Sequence, residues 1–425
     1  MMERLPSGVA EALDFEKSNW TQGSVVNDSF YNAPQEALDS PPGALLKIER
    51  ETDTTKYMIP LTAALSRFIY QSETLRGSKV PVSAYVLWPY SPRSQPDGYP
   101  VVAWAHGTSG MDANAAPSHH RNLWQHFLAP YQIALQGYVV VATDYAGLGV
   151  KKDASGHPIV HEYLASPSQA NDVVHSVTAA RAAFPELSAN FVVIGHSQGG
   201  GAAWSVAQRA ALISVPGYLG AVAVSPYTSL LEEETEVAKM LTPTICPGIA
   251  SVFPEFSPRD LLTAEGEERL DTIHQTGAAL GSASALLSRV DTLKPNWKEN
   301  THYRQYLALT SNGGKAIKGP LLISHGKSDP ALGVEVVEKA IKKTANLFPF
   351  SQIEYISLSD VTHTSALPAS QRLWMDWIGD RFAGREVESG CHSHELAGAR
   401  PHRSQQSVPN WYLESATQPY HAPGP

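Results

Sequence analysis

The chain has 425 residues and a formal net charge of −9, from 41 acidic against 32 basic side chains. It carries no dense basic cluster, which argues against a nucleic-acid partner, and no apolar run of about 18 residues, which leaves it without a membrane-spanning helix. Two cysteines, Cys246 and Cys391, are too few for a disulfide framework, so free thiols are expected.

Residues 1–43 are polar and dotted with proline, the composition of an arm laid over a folded body. The opening Met1-Met2-Glu3-Arg4-Leu5-Pro6 lacks the apolar stretch of a secretory leader, which favours a cytoplasmic location. Asn19-Trp20-Thr21 and Asn27-Asp28-Ser29 match the glycosylation triplet, a pattern short enough to arise by chance. Beyond the arm, Val82–Leu87 reads as a strand. Val101–Ala105 and Tyr138–Ala142 are nearly continuous apolar runs, as strands buried on both faces should be. Val173, Val177, Ala180 and Phe184 then recur at helical spacing. Phe191–Ile194 and Ala221–Val224 are further buried strands.

From Tyr227 to about Lys318 the alternation stops and no core strand is evident. This stretch reads as a mainly helical insertion that would cap a site at the strand ends, where ligands sit in such sheets. Strands resume at Leu321–Ser324 and Ile353–Leu358. Val337, Ala340, Ile341 and Ala345 mark a helix between them, and residues 370–382 one after them. The expected fold is thus α/β, with a mostly parallel central sheet and helices on both faces. Its core is divided into 44–226 and 319–384 by a cap at 227–318. The Ser-, Gln- and Pro-rich stretch 385–425 reads as a disordered tail; its Cys391, His392, His394, His402 and His421 fit no zinc spacing.

The chemistry centres on Gly195-His196-Ser197-Gln198-Gly199, set between the strand 191–194 and a small-residue helix. A serine on a sharp strand-to-helix turn is lifted clear of the sheet, and glycines on either side let backbone pass closely. The pattern resembles the nucleophile turn of the α/β-hydrolase fold and proposes Ser197 as a nucleophile. In that fold the acid and then the base follow the serine in chain order. Asp329, just past the strand 321–324, is the candidate acid, where a plain turn-capping role is the alternative; Asp360 is a rival. His363, in the loop after 353–358, is the candidate base. The loop His106-Gly107-Thr108-Ser109-Gly110 closes the strand 101–105. Its Thr108 N–H, with the Gln198 N–H, is a candidate oxyanion donor, and His106 is expected to orient the loop. Ser324-His325-Gly326-Lys327 fits S-x-x-K but closes a strand instead of opening a helix, and is set aside.

These motifs, together with Asp28–Pro34, Ala142-Thr143-Asp144-Tyr145-Ala146-Gly147-Leu148-Gly149 and His325–Pro330, resemble the fungal secretory-lipase-type α/β-hydrolases over residues 28–383. The resemblance implies a capped serine esterase or lipase that needs no cofactor and no metal and cleaves a small-molecule or lipid ester. Members of that family commonly carry a secretory leader, and a cysteine before an Ala-Pro-Ser; here Ala115 stands in its place. Both departures favour an intracellular relative acting on a metabolite ester. An acyltransferase using the same triad and a non-catalytic binding protein on the same fold are the alternatives.

Overall fold

Strands that are apolar at every position need cover on both faces, and the structure, a computed structural model, shows how they receive it. It describes Leu5, residues 8–288 and 290–406, and the backbone of 410–411 and 414–415. The sheet strands are β1 (Leu45–Glu49), β2 (Ala64–Glu73), β3 (Lys79–Trp88), β4 (Tyr99–Ala105), β5 (Val139–Thr143), β6 (Leu187–His196), β7 (Tyr218–Val224), β8 (Leu321–Gly326), β9 (Gln352–Leu358) and β10 (Gly390–Leu396). Their order is β1-β2-β3-β5-β4-β6-β7-β8-β9-β10. From β5 to β10 all neighbours are parallel, while β1, β2 and β3 join antiparallel to one another and to β5.

The helices are α1 (Val9–Ser18), α2 (Pro130–Leu135), α3 (Ser166–Ala183), α4 (Gln198–Leu212), α5 (Glu236–Leu241), α6 (Cys246–Val252), α7 (Ala264–Thr276), α8 (Leu280–Leu287), α9 (Thr301–Thr310), α10 (Val334–Leu347) and α11 (Ala366–Phe382). Alternation along β4 sorts them. Val101 and Ala103 point into a cluster with Val177 of α3, Trp204 of α4 and Val337 of α10. Val102 and Trp104 point into the opposite cluster, with Ile133 of α2 and Trp374 and Ile378 of α11. One strand thus feeds two cores, and its apolar run is the mark of that double duty.

Among the described residues, the segment between β7 and β8 holds the five helices α5 to α9 and no sheet strand. It builds its own core, which Val9 and Leu13 of the arm helix α1 complete. The tail expectation is corrected over Gly390–Leu396. These residues form the edge strand β10, paired with β9 from Gly390 opposite Gln352 to Leu396 opposite Leu358. Parallel pairing uses main-chain groups that any residue but proline supplies, so a polar, exposed edge strand leaves no compositional trace. His421 and most of the sequence after 406 lie outside the described residues. Both cysteines are free thiols, Cys246 buried and Cys391 exposed. No helix among the described residues is long and apolar enough to cross a membrane.

Candidate active site

Four loops gather at the carboxyl ends of parallel strands, the position where such sheets bind ligands. They follow β4, β6, β8 and β9. Ser197 directly follows the last residue of β6, His196, and stands at the N-cap position of α4 with φ 58° and ψ −118°, a backbone state that residues other than glycine rarely adopt. The glycines of the pentapeptide make the turn feasible. A Cβ on Gly195 would run into the Gly199 carbonyl, and one on Gly199 into the Ala105 carbonyl of β4. The turn is pinned by Ser197 N–H donating to Val224 O at 3.0 Å and by the Ser197 carbonyl accepting from Tyr227 N–H at 3.0 Å.

Asp329 and His363 come together from the loops after β8 and β9. Nδ1 of His363 lies 2.7 Å from Oδ2 of Asp329, and the Asp329 side chain is fully buried. The second carboxylate oxygen accepts from Ala331 N–H at 2.8 Å and Leu332 N–H at 2.9 Å. Asp329 thus meets its own turn with one carboxylate oxygen and His363 with the other. Burial would raise the Asp329 carboxyl, but the His363 imidazole, His325 and the Leu332 N–H together outweigh this and hold it below its ordinary value. Asp360, the rival acid, is exposed. Below this pair sits His325, whose Nε2 is 3.0 Å from Leu332 O and 3.4 Å from Asp329 Oδ2; burial lowers its pKa.

The Thr108 and Gln198 backbone N–H groups make no hydrogen bond among the described residues. Their side chains are held by one segment that sequence reasoning overlooked. Tyr163 OH lies 2.9 Å from Thr108 Oγ1, and His161 Nε2 lies 3.3 Å from Gln198 Nε2. His106 stacks on Tyr145 at 4.3 Å and its Nδ1 is 2.7 Å from Gly107 O. Burial depresses His106 to about 3 and His196 also to about 3, so both imidazoles are neutral at neutral pH. Ser324 of the S-x-x-K match is buried in β8 and meets Ser370 of α11 at 3.1 Å.

Ser197, His363, Thr108 and Gly107 line one cavity of about 350 Å³. The rest of its wall is mostly apolar and comes largely from the β7–β8 segment, including Leu230, Val237, Met240, Leu241 and Leu280. Gln125 also lines it, a residue with no local motif to announce it.

With this geometry in view, the profile of the Alpha/beta hydrolase family matches residues 101–405, and the chain belongs to that family. Its fold is similar to that of lipase A from Candida antarctica in its closed state, at 16% identity and a TM-score of 0.71, covering 89% of this chain and 91% of that one. It is also similar to the rice cell wall degrading esterase LipA from Xanthomonas oryzae, at 18% identity and a TM-score of 0.64, covering 81% of this chain and 99% of the other. No curated protein sequence matches the chain significantly.

Proposed function

We propose that the protein is a serine hydrolase that cleaves carboxylic esters through an acyl-enzyme, with Ser197 as nucleophile, His363 as base and Asp329 as orienting acid. The observation that carries this reading is the 2.7 Å contact between His363 Nδ1 and Asp329 Oδ2 in the cavity that the Ser197 turn also lines. An acceptor on Nδ1 keeps the proton there and leaves Nε2 free to take the serine proton. Ser197 Oγ then bonds to the ester carbonyl carbon while His363 receives its proton. The carbonyl oxygen becomes an oxyanion, held by the Thr108 and Gln198 N–H groups. Collapse breaks the bond to the alkoxy oxygen, which leaves as alcohol with the proton from His363. Water, deprotonated by His363, attacks the acyl carbon, and collapse breaks its bond to Ser197 Oγ, which takes the proton back from His363 as the acid leaves.

The apolar wall supports an apolar acyl group in the cavity, and the helices α5 and α8 act as a cap over it. Ser197→Ala removes turnover of short p-nitrophenyl esters and labelling by a fluorophosphonate probe. Retention of both by that variant would refute the reading.

A further inference from the structure

We propose that Gln125 and Trp124 are positioning residues that hold the oxyanion loop in register with the nucleophile turn and the histidine loop; the inference rests on the hydrolase reading above. Three hydrogen bonds run in series across the cavity wall. Gly107 N–H donates to Gln125 Oε1 at 2.6 Å. Gln125 Nε2 lies 2.9 Å from His196 Nδ1, and His196 Nε2 lies 3.2 Å from the His363 carbonyl oxygen. The series has one consistent direction. The carboxamide nitrogen can only donate, so His196 Nδ1 accepts. A neutral imidazole then carries its proton on Nε2, which faces a carbonyl that can only accept.

Each link ends beside a proposed catalytic group. Gly107 precedes Thr108, His196 precedes Ser197, and His363 is the base itself. Gln125 and His196 are each only 2% exposed, so no solvent competes for these bonds.

Trp124 adds direction. Its Nε1–H donates to Gly107 O at 3.2 Å. No peptide bond among the described residues is cis, and in a planar trans peptide the C=O of one residue and the N–H of the next point opposite ways. Anchoring Gly107 O therefore sets the direction of Thr108 N–H. The segment that supplies both grips is itself strained: Leu123 and Trp124 have φ of 50° and 60° in succession. Such states in bulky residues are uncommon and collect where surrounding structure enforces a working geometry.

The test compares Gln125→Met, Gln125→Glu and Trp124→Phe with wild type on p-nitrophenyl butyrate, active sites being counted by fluorophosphonate titration. Gln125→Met should lower kcat per titrated site about 10- to 100-fold with KM moved less than about twofold, because misplacement acts on the transition state. Gln125→Glu keeps an acceptor for Gly107 N–H but cannot donate to His196 Nδ1, so its loss should be smaller. Trp124→Phe should cost least, since His106 Nδ1 still reaches Gly107 O. Wild-type kcat per site in Gln125→Met overturns the proposal. So does a loss confined to the number of titratable sites or to KM. Should Gln125→Met yield no folded protein, Gln125→Glu and Trp124→Phe decide by the same readout. Turnover surviving in Ser197→Ala would sink the hydrolase reading itself, whereas a dead Ser197→Ala beside an unaffected Gln125→Met sinks this inference alone.

Discussion

Asp329 and Asp144 are both carboxylates taken out of water at the ends of core strands, and they respond in opposite ways. Asp144, just past β5, is fully buried and accepts from Ser118 N–H at 2.8 Å, from Ser83 Oγ at 2.6 Å and from the Ser118 hydroxyl. Burial nevertheless pushes it up to about 6. Asp172 in α3, held by the Ser72 hydroxyl and Ala146 N–H, is pushed by burial up to about 7. Asp329 accepts three hydrogen bonds, as Asp144 does, yet it is held below its ordinary value because the imidazoles of His363 and His325 lie beside it. Neutral donors soften the cost of burying a carboxylate, and a hydrogen-bonded imidazole helps to reverse it, whereas Arg67, which is not hydrogen-bonded to Asp144, does not. The first arrangement braces a loop; the second can stabilise an imidazolium formed in a reaction.

The sharpest way to break this contrast is Asp329→Asn. The amide oxygen can still accept from Ala331 and Leu332 N–H, so the loop should persist. Its NH₂ would face His363 Nδ1 and drive the imidazole into the wrong tautomer. We expect a loss in kcat of about 10,000-fold with KM little changed, read by steady-state kinetics at neutral pH. A loss below tenfold would detach Asp329 from the chemistry.

Asp144→Asn should leave kcat nearly intact and change the pH dependence of stability instead. A carboxyl raised from 3.8 to about 6 on folding contributes stability that is full below its unfolded value and lost as pH rises through about 6. At about 1.4 kcal/mol per pH unit this loss is roughly 3 kcal/mol, and asparagine does not incur it. Thermal melts at about pH 5 and about pH 8 should show a smaller drop for the variant than for wild type. Asp329 contributes with the opposite sign: its stability is present above its ordinary value of 3.8 and lost as pH falls through the lowered one. Equal slopes for Asp144→Asn and wild type would show that Asp144 does not titrate as its burial demands.

The same contrast explains what could be read from the chain beforehand. The strands β4 to β9 announce themselves because both faces are apolar, and the proposed Ser197, Asp329 and His363 each follow one of them. β2 is equally buried yet was missed, because Ser66, Arg67, Gln71 and Ser72 interrupt its pattern. Their partners are remote: Arg67 pairs with Asp28 at 3.1 Å and with Glu49 at 3.0 Å, and Ser72 meets Asp172. Polar residues satisfied across long sequence separations look like surface in a linear reading. Gln125, His161 and Tyr163 escaped for the same reason, since each is defined by what it meets in space. The Asp144 motif was visible, but as a resemblance and without the serines that explain it.

A fourth carboxylate, half-buried Glu16, offers the smallest and most discriminating case. Glu16 of α1 reaches the start of α8, where its oxygens accept from Ala279 N–H at 3.0 Å, Ser282 N–H at 2.8 Å and the Ser282 hydroxyl. The residue at that helix start, Ala279, has no side chain able to cap, so the arm supplies the cap from a distance. Through Leu280 N–H, which donates to Ser109 O at 2.9 Å, the same helix touches the proposed oxyanion loop after β4. Glu16→Ala should cost about 1 kcal/mol of stability, the worth of an N-cap, with kcat on short esters unchanged. Burial raises the Glu16 carboxyl, so its stability contribution is full below its ordinary value of 4.5 and declines as pH rises. The deficit of Glu16→Ala should therefore be larger at about pH 4 than at about pH 7, grouping Glu16 with Asp144. A deficit that grows with pH would mean that the helix N-terminus favours the carboxylate more than burial opposes it. Glu16 would then side with Asp329, and an imidazole partner would not be the only means by which this fold keeps a carboxylate charged.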